Sequence, residues 1–280
     1  MNRPIAPTAP RVIRWVVTTA IVVPFVWAAL GLDVSLDRLV EAPGAIWSRV
    51  ASMFPPDWGD ISEILGKVLE SVNVAWVGTI IGATLSLPLG YLAATNISPR
   101  WVTGPVRGLL SAIRAFPELV LAIMFIPAFG LGPFAATLAI GLHSIGTLGK
   151  LTSEVLEGTD AGPVEAIASA GGTKLQQLRF GVSPQAMPNI IAYWLYRFEI
   201  NIRASAVLGV IGAGGVGDLL IGRLRFREWE KAGAVLIITV AVVLIIDFAS
   251  SAIRRRIITG HSGTGRVSKA LSLLVRPRAT

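Results

Sequence analysis

Seven charged or strongly polar side chains stand inside stretches otherwise built of Leu, Ile, Val, Ala and Gly: Arg114, Glu118, Arg197, Glu199, Asn201, Arg203 and Asp247. Charge in such surroundings is expensive, so these residues must pair with one another or face a polar cavity. Arg114 and Glu118 are spaced either to form an i,i+4 pair that holds a single helix or to line a substrate pathway together with Arg197, Glu199, Asn201 and Arg203. Arg197 and Arg203 resist the reading as local pairs, because only Glu199 lies close enough in sequence to neutralise their two guanidinium groups. A surplus of positive charge along a pathway favours an anion, and the guanidinium fork matches phosphate or phosphonate oxygens bidentately. Asp247 reads as a lone packing partner. His143 has no second ligand at i±3 or i±4 and reads as a helix-packing residue rather than a metal ligand.

The elements that must position these groups are membrane helices. Hydrophobic residues make up 53% of the 280-residue chain and charged residues 15%, with a mean hydropathy of +0.66. Soluble domains carry about 25% charged residues. Apolar runs of roughly 20 residues, enough to span a bilayer, fall near 12–32, 72–95, 106–129, 134–151, 187–211 and 232–253, which predicts six spans. With no cysteine in the chain, disulfides, iron–sulfur sites and thiol nucleophiles are excluded.

A net charge of +8 could indicate nucleic acid, but the basic residues follow the alternation of the spans instead. With the N-terminus inside, fifteen Lys and Arg fall on the cytosolic side and seven outside, where the acids Asp57, Asp60, Glu63, Asp218 and Glu228 also lie. The positive-inside rule therefore places both termini in the cytosol, with a tail over 1–11 and a basic tail over 254–280 that anchors at anionic lipid rather than binding nucleic acid. The first span, 12–32, lacks a small-residue cleavage site and reads as a retained anchor. The outer segment 33–67 reads as an interfacial elbow with Trp47 and Trp58 at headgroup depth. A core of five spans follows over 68–253, where Pro88, Pro117 and Pro127 predict bent inner helices. Gly78, Gly82, Gly90, Gly130, Gly132, Gly141, Gly146 and Gly149 allow close helix approach. No internal repeat is evident, so any two-fold pathway requires a second chain.

The loop over 160–185 is too long and too patterned for a simple turn. Its sequence EAIASAGGTKLQQLRFGVSP divides into two short helical pieces, 163–170 and 174–180, around Gly171-Gly172, where glycine allows one helix to fold back on the next. The expected product is a rigid cytosolic knuckle suited to docking a partner. Two nucleotide motifs are decoys. Gly212, Gly214 and Gly217 satisfy G-x-G-x-x-G, with Gly215 between them, but no βαβ unit surrounds them; the stretch reads as a flexible outer turn near a pathway mouth, with amides free to meet an anion. Gly149-Lys150 fails as a phosphate loop because Ser144 and Leu151 stand where glycine and Ser or Thr are required.

Glu165, Ala166, Ala170, Gly171 and Pro184 follow the pattern of the EAA loop of ABC importer permeases, departing from it at Gly181 and Ser183, where isoleucine and leucine are usual. Together with 70–96, 113–158 and 196–217, the chain resembles the permease subunit of phosphonate ABC importers, the PhnE type of the MetI-like ABC permease family. The resemblance covers 57–253. It implies an all-α membrane protein of six transmembrane helices with a cytosolic coupling-helix loop at Glu165–Pro184. It also implies a second permease chain, identical or diverged, two ATP-binding subunits that carry the ATP and Mg, and an extracytoplasmic phosphonate-binding protein. No cofactor is expected on this chain. A bacterial inner-membrane location follows. The expected substrates are phosphonate, phosphite or phosphate. The alternatives are a permease for an amino acid or other organic solute, and a passive anion channel, which would leave the knuckle unexplained.

Overall fold

The computed structural model describes residues 11–31 and 36–260; the tails over 1–10 and 261–280, including most of the expected basic tail, lie outside the described residues, as do 32–35. Every regular element among the described residues is helical. The chain divides into two compact units, one ending at Phe54 and the other beginning at Pro55. The first contains α1 (Arg11–Gly31), an apolar helix long enough to cross a membrane, and α2 (Leu36–Ala51). In α2, Val40, Ile46, Trp47 and Val50 alternate with Asp37, Arg38, Glu41 and Arg49 at helical spacing, the pattern of a helix lying in a headgroup layer.

The second unit is organised around α3 (Ile61–Ala93), whose 33 residues extend about 50 Å at 1.5 Å per residue. It begins well before the apolar run at 72, because Glu63, Lys67 and Glu70 give its first turns a polar face with a Lys67–Glu70 bridge of 2.9 Å. The expected outer segment 33–67 is therefore largely helical. Along α3 packs α6 (Pro133–Glu157). Gly78, Gly82 and Gly90 of α3 face Ile140, Ser144 and Thr152 of α6, and a Cβ at Gly78 would stand 2.7 Å from Ile140 Cγ2. Small residues bring two backbones together here, as they do at Gly141 against Ile81 and at Gly149 against Leu110. Gly130 and Gly132 do something else: with open space around them and φ of 82° and 142°, they form the turn before α6.

Helices α4 (Arg100–Ala115) and α5 (Glu118–Phe129) replace the single expected span over 106–129 and meet at 86°. Pro117 explains the break. It supplies no amide for the helical ladder, and it drives Phe116 into extended backbone at ψ 122°. The chain then folds into α7 (Ala161–Ser169), α8 (Lys174–Gln176), a π-helical turn over Gln177–Val182, α9 (Ser183–Gly209), α10 (Gly215–Arg225) and α11 (Trp229–Gly260). Four helices are long and apolar enough to cross a membrane, and the bent α4–α5 pair would make a fifth. The remaining expected span, 187–211, corresponds to α9, which is about 40 Å long from its 27 residues but is made too polar for a lipid-facing span by Arg197, Glu199, Asn201 and Arg203. Arg197, Glu199 and Asn201 are buried among the helices around it, while Arg203 stays exposed.

Candidate functional site

At one end of α3 sits the knuckle foreseen over 160–185. Asp160 caps α7 by accepting from the Gly162 amide at 3.0 Å. Gln185 ties the base, accepting from the Asp160 amide and donating to the Asp160 and Gly181 carbonyls. The helix ends in a Schellman turn: the Gly171 amide bonds Ala168 O, the Gly172 amide bonds Ile167 O, and Gly171 takes φ 82°, which glycine adopts without strain. Thr173 and Gln176 then form a reciprocal capping box on α8. Gly181 lets the π-turn approach α7, where a Cβ would stand 3.1 Å from Val164 Cγ2. Ser183 shares a 2.8 Å hydrogen bond with the Tyr91 hydroxyl. Both positions that depart from the usual EAA pattern therefore have a packing role in this chain.

Beneath the knuckle, Val182, Ala186 and Ile190 pack with Ala94 and Leu156, and Val164 and Leu178 lean on the same cluster. Glu157 joins the neighbouring elements, accepting from the amide and hydroxyl of Thr95 and pairing with Arg107. Glu165, Ala166 and Ala170 remain exposed, as do the large apolar side chains Leu175 and Phe180. The knuckle thus has a buried face fixed to the bundle and an exposed face that presents Leu175 and Phe180 together with Glu165, Lys174 and Arg179.

Inside the bundle the polar residues pair in ways that their spacing did not indicate. The expected Arg114–Glu118 pair does not form, since the break at Pro117 separates the two residues onto different helices. Glu118 instead pairs with buried Arg197, 79 residues away. Arg197 Nε donates to Ser144 Oγ at 3.0 Å, and Asn201 Nδ2 donates to Ser144 Oγ and Thr79 Oγ1 at 3.1 and 2.8 Å. Helices α3, α5, α6 and α9 converge on this node. His143, beside it, bonds the Phe116 carbonyl through Nδ1 at 3.0 Å and lies 3.7 Å from Glu118 through Nε2, so it holds both sides of the broken helix.

On the opposite face of α9, Arg203 pairs with Asp247 of α11 and Glu199 with Arg254 at 3.2 Å. The expected surplus at Arg197 and Arg203 is therefore neutralised, each by a partner distant in sequence, and Asp247 is no lone residue. Arg114 is left without an acidic partner among the described residues and is exposed at the break. It precedes the first residue of α5 by four positions, across the break at Phe116 and Pro117.

The glycine-rich stretch is a packed turn rather than a flexible one. Gly212, Gly214 and Gly215 have φ of 84°, 77° and 69°, and Ala213, Gly215, Val216 and Gly217 are buried. A Cβ on Gly217 would overlap the Ala206 carbonyl. The Val216 amide is already bonded to Ser71 Oγ at 2.9 Å, and Ser205 Oγ donates to Ser71 O, so the turn is fastened to α3. Farther along, at the end of α3 remote from the knuckle, Arg223 pairs with Asp60, Glu63 and Glu228 at 3.0, 2.7 and 2.7 Å, and Lys231 with Asp60 at 3.0 Å. The hydrogen bond from Lys231 holds the Asp60 carboxyl below the usual carboxylate range. Sequence reasoning had passed over this cluster, although its alternating charges around 60 and 223–231 were visible.

A multi-pass helical bundle with a buried polar node, a broken inner helix and a glycine-jointed knuckle at one end defines a membrane transport subunit. The chain belongs to the family of binding-protein-dependent transport system inner membrane components, which it matches over 86–259. It is 36% identical over 218 residues to the phosphite transport system permease protein PtxC of Stutzerimonas stutzeri, covering 78% of this chain and 79% of that one. It is 40% identical over 211 residues to the phosphate-import permease protein PhnE of Mycolicibacterium smegmatis, covering 74% of this chain and 39% of that longer protein. Its fold is that of the permease in the inward-facing MetNI methionine ABC transporter, with a TM-score of 0.63 at 22% identity over 71% of this chain and 98% of that one. The chain is a MetI-like ABC importer permease.

Proposed function

We propose that this permease carries a phosphorus oxyanion, phosphonate, phosphite or phosphate, into a bacterial cell across the inner membrane. The observation that carries the reading is Arg114, an intramembrane guanidinium with no acidic partner among the described residues, four positions before the amino end of a half-helix. Both features favour an anion, and the guanidinium favours one with paired oxygens. The substrates in the names of PtxC and PhnE belong to that class. The remaining intramembrane acids and bases hold the bundle together.

Transport requires partners. Two copies of this permease, or one with a diverged second chain, enclose the pathway; two ATP-binding subunits carrying ATP and Mg grip the knuckle around Glu165, Ala166, Ala170, Gly171 and Pro184; an extracytoplasmic binding protein delivers the anion. This chain makes no covalent chemistry. Closure of the ATP-binding subunits moves the knuckle as a rigid body and shifts the bundle between inward- and outward-open populations.

Uptake of phosphite, methylphosphonate and phosphate into proteoliposomes holding the assembled importer tests the proposal. Arg114→Ala is expected to lower uptake of the preferred anion at least tenfold without loss of assembly or ATP hydrolysis, and Arg114→Lys to recover part of it. Unchanged uptake in Arg114→Ala would remove Arg114 from the pathway. Uptake of an amino acid in place of all three anions would overturn the substrate class.

A further inference from the structure

The turn between α10 and α11 carries an uncommon combination. Arg225, Phe226 and Arg227 are all exposed, with Phe226 at 78% of its full accessibility. Of the acids nearby, Asp60, Glu63 and Glu228 all bind Arg223 and Asp60 also binds Lys231, while Glu230 lies exposed three residues beyond Arg227. Arg225 and Arg227 have no acidic partner among the described residues.

The backbone makes the turn rigid. The Glu228 amide bonds Arg223 O at 2.9 Å and the Arg227 amide bonds Leu224 O at 3.1 Å, which is a complete Schellman turn with Arg227 at the left-handed position, φ 59°. In the knuckle the corresponding position is Gly171, at φ 82°. Glycine is the residue that this geometry favours, and Arg227 is the only residue with a side chain at positive φ among those described. A strained backbone held by its surroundings points to use of the side chain it presents. The base of the turn is equally firm, with Arg223 clamped to the start of α3 and the Asp57 amide bonded to Glu230 O at 3.2 Å.

We infer that Arg225-Phe226-Arg227 is a docking knob for the soluble binding protein that delivers the substrate, and that it inserts Phe226 into an apolar notch with a carboxylate-lined rim. The inference rests on the importer reading above. An exposed aromatic between two arginines has the composition of an interface hot spot. Charge complementarity selects an acidic protein surface, and the occupied carboxylates around the knob make it a mixed-charge patch rather than the one-sign basic surface that anionic headgroups attract. A fluid lipid layer also has no need of a side chain fixed by backbone strain. The knob lies at the end of α3 opposite the knuckle, the side from which an imported substrate arrives.

The test uses the full importer complex in nanodiscs and the binding protein encoded with this chain, with affinity read by biolayer interferometry and coupling by binding-protein-stimulated ATP hydrolysis. Phe226→Ala and the double variant Arg225→Ala/Arg227→Gly are each expected to weaken binding at least tenfold, and the double variant to flatten the salt dependence. Arg227→Gly alone removes strain, so it is expected to keep or raise the melting temperature while weakening binding; a variant that binds less yet is no less stable separates docking from folding. Wild-type affinity in Phe226→Ala and in the double variant overturns the knob. The same result together with weaker flotation of the permease on anionic vesicles assigns the turn to the membrane instead. A wild-type complex that fails to bind the protein refutes the importer reading itself.

Discussion

Ser144 Oγ accepts from Arg197 and Asn201 at once, Asn201 also reaches Thr79 and Arg197 pairs with Glu118, so four helices share one small polar node. The node exists because Gly82 has no side chain to hold Ser144 away from α3. Its weak point is Glu118. Removing it leaves Arg197, whose side chain is only 7% exposed, as an uncompensated buried charge. Glu118→Ala is therefore expected to destabilise the permease by about 3–5 kcal/mol. Adding Arg197→Met should recover most of that loss, because burying neither charge avoids the desolvation cost of both. Thermal unfolding in detergent checks both variants, and failure of the second change to rescue the first would mean that the pair does not hold this node. Which residues are charged within the apolar runs was legible from the sequence, but the pairing was not. Glu118–Arg197 spans 79 residues, Glu199–Arg254 spans 55 and Arg203–Asp247 spans 44. Only helix neighbours can be inferred from spacing, so Glu118 could be matched with Arg114 alone, whereas the folded chain gives it to Arg197.

Two helices end in the same six-to-one turn, with Gly171 at the left-handed position of one and Arg227 at that of the other. Gly171 meets nothing within 4 Å and closes the knuckle without strain. Proline there would require φ near −65° and would delete the amide that bonds Ala168 O. Gly171→Pro is thus expected to leave insertion and the bundle intact while disconnecting ATP hydrolysis from uptake, so that proteoliposomes hydrolyse ATP at near wild-type rates and accumulate at least tenfold less anion. Full coupling in this variant would mean that the knuckle does not transmit motion as a rigid body. The knuckle was readable in advance because its information is local: a glycine pair, a threonine cap and helical spacing on either side. Pro117 was readable as a bend but not as an 86° break. The angle depends on what receives the separated ends, here His143 on the Phe116 carbonyl and Arg197 on Glu118. The glycine-rich turn was misread as mobile for the same reason, since its rigidity comes from Ser71 on another helix.

Across the whole molecule, the α3 helix separates two chemically different ends by about 50 Å over its 33 residues. At one end Arg223 and Lys231 are balanced by Asp60, Glu63 and Glu228; at the other lie the knuckle and the basic residues Arg100, Arg107, Lys150, Lys174 and Arg179. The positive-inside rule predicts that such a molecule sits with the knuckle in the cytosol. Because the chain has no cysteine, single thiols can report this orientation without any background substitution. Phe226→Cys and Ser169→Cys place one thiol at each end, both at exposed positions. In intact spheroplasts a membrane-impermeant maleimide is expected to label Phe226→Cys and to reach Ser169→Cys only after permeabilisation. Labelling of both from outside would contradict a bilayer lying between the two ends, and labelling of Ser169→Cys alone would invert the molecule, leaving the knuckle unable to meet a cytosolic ATPase.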